Sequence, residues 1–179
     1  MINVLHTRSA YPRSVCWIPH NGVARDVRLA PVTEWTATAR ANATADQLLE
    51  VLTHPEEIRR WSPVDFDLDD LDGRLAAGAR GRVTGKLAGV RVGFDVEVHA
   101  ADHARLELSA HGPIGLDVRY ELTADEAGAQ LSARVAMRPS GGLTGRLVAN
   151  ATAALLSAGA LDGATGRIAR VAESLPAAA

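Results

Sequence analysis

The residues that could do chemistry in this chain are few: six histidines, one cysteine, two tyrosines and a run of aspartates. His99 and His103 flank a turn but lack a third ligand at a spacing that would complete a zinc tetrahedron. His111 precedes the Gly112-Pro113 turn and reads as exposed. Cys16 with His6 and His20 is weaker still, because Pro, Arg, Asn and Gly break every periodicity in that segment. No metal centre is therefore expected. The aspartates at 65, 67, 69, 70 and 72 would need to converge around a tight loop to hold calcium. Alternation instead spreads the first three along one strand face, so a solvated edge strand guarded by charge is the better reading. Gly78, Gly81 and Gly85 approach a strand rather than joining a strand to a helix, so they make no phosphate loop, and no Gly-x-Ser-x-Gly elbow occurs. No cofactor is expected.

The elements that would position any site are more legible. Trp35, Ala37 and Ala39 alternate with polar residues and predict a first strand. Thr44-Ala45-Asp46-Gln47 fits a capping box ahead of Leu48, Leu49, Val51 and Leu52, a helix ending near Thr53. Pro55 suits the first position of a second short helix, with Glu56 and Glu57 complementing its positive end and Ser62-Pro63 stopping it. Period-two strands follow, each with one apolar face: Val64 to Leu68, Val83 to Leu87, Val90 to Val98, Leu106 to Leu108, Leu116 to Leu122 and Leu131 to Met137. The short links between them imply an antiparallel meander.

One long helix, from about Leu143 to Leu175, is predicted to cover the sheet. Leu143, Leu147, Ala154, Ala158, Leu161, Thr165, Ile168 and Ala172 share a stripe at 100° per residue, expected to face the strands. Bulky residues at its ends and alanine in its middle would leave volume between helix and sheet. Gly159, Gly163 and Gly166 indicate a close approach, a kink or a break near that point.

Length and composition bound the rest. The chain of 179 residues, 47% hydrophobic and 22% charged, fits one domain over residues 32–176 with an irregular extension at 1–31. A net charge of −2 with scattered basic residues excludes the footprint of a nucleic-acid binder. The N-terminus lacks the pattern of a signal peptide, and the stretch from Leu147 to Leu161 falls short of a membrane span. The lone cysteine suits a reducing compartment, and a cytoplasmic protein is the expectation.

The run Thr53-His54-Pro55-Glu56-Glu57-Ile58-Arg59-Arg60-Trp61-Ser62-Pro63, the meander after it, and the helix opening Gly141-Gly142-Leu143-Thr144-Gly145-Arg146-Leu147 together resemble the START-related, Bet v 1-like superfamily (SRPBCC). Within it they are most similar to the bacterial polyketide cyclase/dehydrase and lipid-transport group. The resemblance covers about Trp35 to Leu175. It implies an α+β helix-grip fold: a curved antiparallel sheet wrapped around a long C-terminal helix, with two short helices after the first strand, enclosing a hydrophobic pocket. The group includes cyclases, hydrolases, lipid carriers and assembly factors, so the fold does not choose the activity.

The inner face is then expected to run Val90, Val92, Phe94, Val96, Val98, Leu106, Leu108, Leu116, Val118, Leu122, Leu131 and Val135, with no acid or base. Its polar exceptions are Tyr120, Asn150 and Thr165. Tyr120 could donate to a ligand carbonyl or polarise it during an aldol-type ring closure, against the plainer role of a half-buried tyrosine. Asn150 could orient a ligand or satisfy backbone, and Thr165 could bond the carbonyl one turn back. Phe94, Ala154 and Ala158 join the candidate ligand-binding set. The resemblance puts His54 and Trp61 at the cavity mouth, as a gate or as a base with an aromatic lid; the competing roles are a helix-capping His and a core Trp. A small hydrophobic, polyketide-like, aromatic or lipid molecule is the expected partner, with cyclase or dehydratase activity, a non-enzymatic carrier or assembly role, and a sequestering role left open, as is a homodimer.

Overall fold

The computed structural model describes residues 32–69, 73–87 and 89–176. The readings made for residues 1–31, including His6, Cys16 and His20, and for Asp70 and Asp72 lie outside them. Strand β1 (Thr33–Ala41) leads into helices α1 (Ala45–Thr53) and α2 (Pro55–Trp61). The capping box forms as the sequence predicts: Gln47 N donates to Thr44 Oγ1 at 3.1 Å, and Thr44 N donates to Gln47 Oε1 at 2.9 Å. Pro55 opens α2, where its missing N–H costs nothing.

Strands β2 (Phe66–Asp69), β3 (Arg80–Leu87), β4 (Val90–Asp102), β5 (Arg105–His111), β6 (Ile114–Asp125) and β7 (Gly128–Pro139) follow. They form one seven-stranded antiparallel sheet in the order β1-β7-β6-β5-β4-β3-β2. The strands after α2 make the expected meander, and β1 closes against β7. The α1–α2 pair carries the chain from β1 to the opposite edge of the sheet, where β2 stands as the edge strand with Asp67 and Asp69 exposed. A register shift between Val98 and Ala100 in β4 adds curvature.

The C-terminal segment is two helices rather than one. Helix α3 (Gly142–Ser157) ends at Gly159, whose φ of +87° is left-handed, and α4 (Ala160–Ser174) departs at 60° to it. The two halves of the predicted stripe therefore diverge. In α4, Leu161, Thr165, Ile168, Ala169 and Ala172 are buried against the main core with α1 and the β1–β7–β6 half of the sheet. In α3, Leu143, Leu147, Ala154 and Ala158 face solvent instead of the sheet, with Leu143 85% and Leu147 52% exposed. The reason is the break itself, because a 60° turn resets which side of α3 meets the strands. Val148 and Ala149 become the inward residues, in a second cluster with Val92, Ile114 and Met137.

Gly145 sets how closely α3 seats. A Cβ there would lie 2.9 Å from the carbonyl oxygen of Pro113 and 2.8 Å from that of Ser140. Neither backbone atom can swing aside as a side-chain tip could. Gly145→Ala should therefore lower unfolding stability by about 1–3 kcal/mol in chemical denaturation, although alanine is the better helix former.

Candidate functional site

Between the two core clusters the helices do not reach the sheet. The space left is a cavity of about 390 Å³, within the usual range for small-molecule sites. Its floor is the concave face of the sheet: Val83, Val92, Phe94, Val96, Leu106, Leu108, Leu116, Val118, Tyr120 and Val135 all line it. Its sides come from α1 and α2 through Leu52, Ile58 and Trp61, and from Thr152, Leu155 and Leu156 of α3 with Ala160, Leu161 and Ala164 of α4. The exposed residues of the lining mark its mouth: Pro63 and Val64, where β2 has not yet begun, Lys86 near the end of β3, and Leu155 of α3. β2 pairs with β3 only from Phe66↔Gly85 onward, so the last residues of β3 form an open edge.

Tyr120 sits in this wall, 7% exposed, and its ring meets Trp61 edge-on with centroids 6.3 Å apart and planes at 76°. Among the described residues no hydrogen-bond partner takes its hydroxyl, while burial pushes the phenol up to about 12. Tyr120 is thus a neutral donor at physiological pH. Trp61 is held at two points, where Nε1 donates to the Val51 carbonyl at 3.1 Å and Arg167 Nε donates to the Trp61 carbonyl at 2.8 Å, and the residue is 9% exposed. It is a core tryptophan that also forms pocket wall. Phe94 lines the cavity as the strand pattern predicts.

The other candidates lie elsewhere. His54 is outside the cavity lining; its Nε2 lies 3.0 Å from Glu50 Oε1, and its side chain makes no capping hydrogen bond although it occupies the N-cap position of α2. Arg74 Nε donates to Thr53 Oγ1 at 2.8 Å, so the α1–α2 corner is a structural polar cluster. Asn150, Ala154 and Ala158 are exposed and do not line the cavity, because the break at Gly159 turns them outward. Thr165 is fully buried, and its hydroxyl donates to the Asp162 carbonyl at 3.0 Å, the backbone bond its position in the helix favours. His99 lies on the convex side, its Nε2 2.9 Å from Ser109 Oγ.

The alanines that do border the cavity are Ala160 and Ala164, past the break at Gly159 rather than before it. Sequence reasoning also passed over Ser62, Lys86 and Thr152. Apart from the Trp61 indole N–H, already bonded to backbone, these three and Tyr120 are the polar side chains of the lining. Among the described residues no carboxylate, imidazole or thiol borders it. Lys86 had one signal available: it is the single lysine in a chain that otherwise uses arginine for its cations.

Three solved structures show the same fold at low identity. A protein from Thermus thermophilus aligns with a TM-score of 0.59 and 13% identity over 78% of this chain and 97% of its own. Ara h 8.0201, a Bet v 1 allergen, gives 0.54 and 13% over 77% and 98%. DynU16, from the dynemicin biosynthetic locus, gives 0.52 and 23% over 79% of this chain and 47% of its own. The Bet v 1-like helix-grip architecture is thereby the fold of this chain. No curated protein matches the sequence. A family model described as polyketide cyclase / dehydrase and lipid transport matches residues 32–173.

Burial of the Tyr120 phenol has a pH consequence. Its folded-state value lies above the ordinary value of 10, so the unfolded chain gives up the proton first and stability falls as pH rises from about 10 to about 12. Denaturation followed across that window should show an alkaline loss of about 2–3 kcal/mol in the parent that Tyr120→Phe lacks. Equal losses in both would contradict the burial of this phenol.

Proposed function

We propose that this chain, which belongs to the polyketide cyclase/dehydrase and lipid transport family, takes a small hydrophobic molecule into the cavity under α3 and α4, with Tyr120 as its polar anchor. The observation that carries this reading is a lining apolar almost throughout, into which the buried residue Tyr120 brings a hydroxyl with no hydrogen-bond partner among the described residues. A ligand bearing a carbonyl or ether oxygen on an apolar body would satisfy that donor while burying its carbon skeleton. An aromatic or polyketide-like body suits a wall that carries the rings of Trp61 and Phe94. DynU16, with its place in a biosynthetic locus, makes that class the first to try.

The lining favours binding and carriage over turnover. Aldol closure or dehydration needs a group that accepts a proton from carbon, and a phenol held neutral to about pH 12 donates rather than accepts. Tyr120 can polarise a carbonyl, so an enzyme of cyclase or dehydratase type remains the second reading, with the base supplied by the substrate or by water. A cytoplasmic site of action fits either.

Displacement of a bound naphthalene-sulfonate dye by aromatic polyketides and fatty acids tests the first reading. Uptake is expected in the parent, and Ala160→Phe, which puts a ring into the cavity wall, should weaken it at least about tenfold. No dye or ligand uptake by the parent would sink it. Tyr120→Phe separates the two readings: a carrier loses a few-fold in affinity, whereas an enzyme keeps its affinity and loses turnover.

A further inference from the structure

The break at Gly159 turns an apolar stripe of α3 outward. Leu143 and Leu147 lie one turn apart on α3, 85% and 52% exposed, and Leu155, 40% exposed, continues the surface to the cavity. Exposed leucines grouped on one helix face are not what solvent alone selects. The charged side chains at this end are mostly cations, with exposed Asp65, beside Val64, as the acid among them. No acidic residue occurs between Ala127 and Leu161, so Arg146 is the only charged side chain on α3. The β3–β4 hairpin end carries Lys86 and Arg91, both exposed, and no acid between them. Leu87 and Val90 from that hairpin pack on the cluster holding Val148 and Ala149 of α3, so the two elements form one end of the molecule. Val64 and Lys86 of the cavity mouth lie at the same end.

We propose that this end docks on the surface of an anionic lipid bilayer, with Leu143 and Leu147 entering the acyl boundary and Arg146, Lys86 and Arg91 meeting the headgroup charge. A helix with an apolar face and a cationic flank lies in the interface in this way. It does not cross, because no single helix among the described residues is long and apolar enough, and α4 is committed to the core. Docking would set the cavity mouth against the bilayer, the place from which a lipid-soluble molecule enters without passing through water. The docking face lies on the outer surface and is the same whatever occupies the cavity.

Flotation of the full-length protein with vesicles of phosphatidylcholine, alone or mixed with phosphatidylglycerol, tests it. Binding to the anionic vesicles is expected, weaker on the neutral ones and weakened by added salt. Leu143→Glu with Leu147→Glu should reduce partitioning at least about tenfold, and Arg146→Glu a few-fold. Should the double variant fail to fold, Leu143→Gln at the most exposed position gives the same reading, with thermal unfolding as the check on structure. No flotation with anionic vesicles overturns the proposal, as does undiminished flotation of a folded leucine variant. Capture of a partner protein by this face without vesicle binding overturns it too.

Discussion

The left-handed residue at Gly159 is the constraint from which the open end of the molecule follows. A straight helix of some thirty residues would lie along the sheet and press its leucines into the space where the cavity now is. With a 60° turn, α4 keeps to the β1–β7–β6 side and shares a core with α1, while α3 crosses to the other end and seats on the β5–β6 turn. A glycine accepts φ near +87° without the cost a Cβ would bring, so the turn is stable at little expense. The cavity is what remains between two packed ends.

Trp61 ties that arrangement to the rest of the chain. Its ring forms cavity wall and meets Tyr120, its N–H holds α1, and its carbonyl receives Arg167 from α4. β6, α1 and α4 are thus tied together through one residue, by its ring, its indole N–H and its backbone carbonyl. The α1–α2 corner is braced separately, by Glu50, Thr53, His54 and Arg74. His54, beside a proline and near a tryptophan, sits in that corner and outside the cavity lining.

The sheet divides its labour by face. On the convex side, Arg80 opposes Glu97, Arg82 opposes Asp95 and Arg119 opposes Glu107, directly across neighbouring strands. These pairs are exposed, and each contributes little to stability in water. They keep the outer face wet and hold the register so that the alternate residues all point inward. The concave side carries the apolar set that both buries the core and lines the cavity. Ligand binding and folding therefore draw on the same strand positions.

How much of this was legible follows from which interactions are local. The capping box at Thr44, the proline start of α2, the period-two strands, the edge position of β2 and the apolar inner face with Tyr120 on it could all be read from residue order. Each depends on neighbours within a few positions or on alternation along one strand, and the helix-grip fold follows from their sequence. The placement of Asn150, Ala154 and Ala158 was not legible. A helical stripe records which residues share a face, and only the tertiary structure decides what that face meets. The glycines left a close approach, a kink and a break all open and gave no angle, and the angle turned the first half of the stripe to solvent and put Ala160 and Ala164 in the cavity wall. Lys86 and Thr152 border the cavity because β2 starts late and α3 crosses where it does, which are facts of packing between segments far apart in the chain.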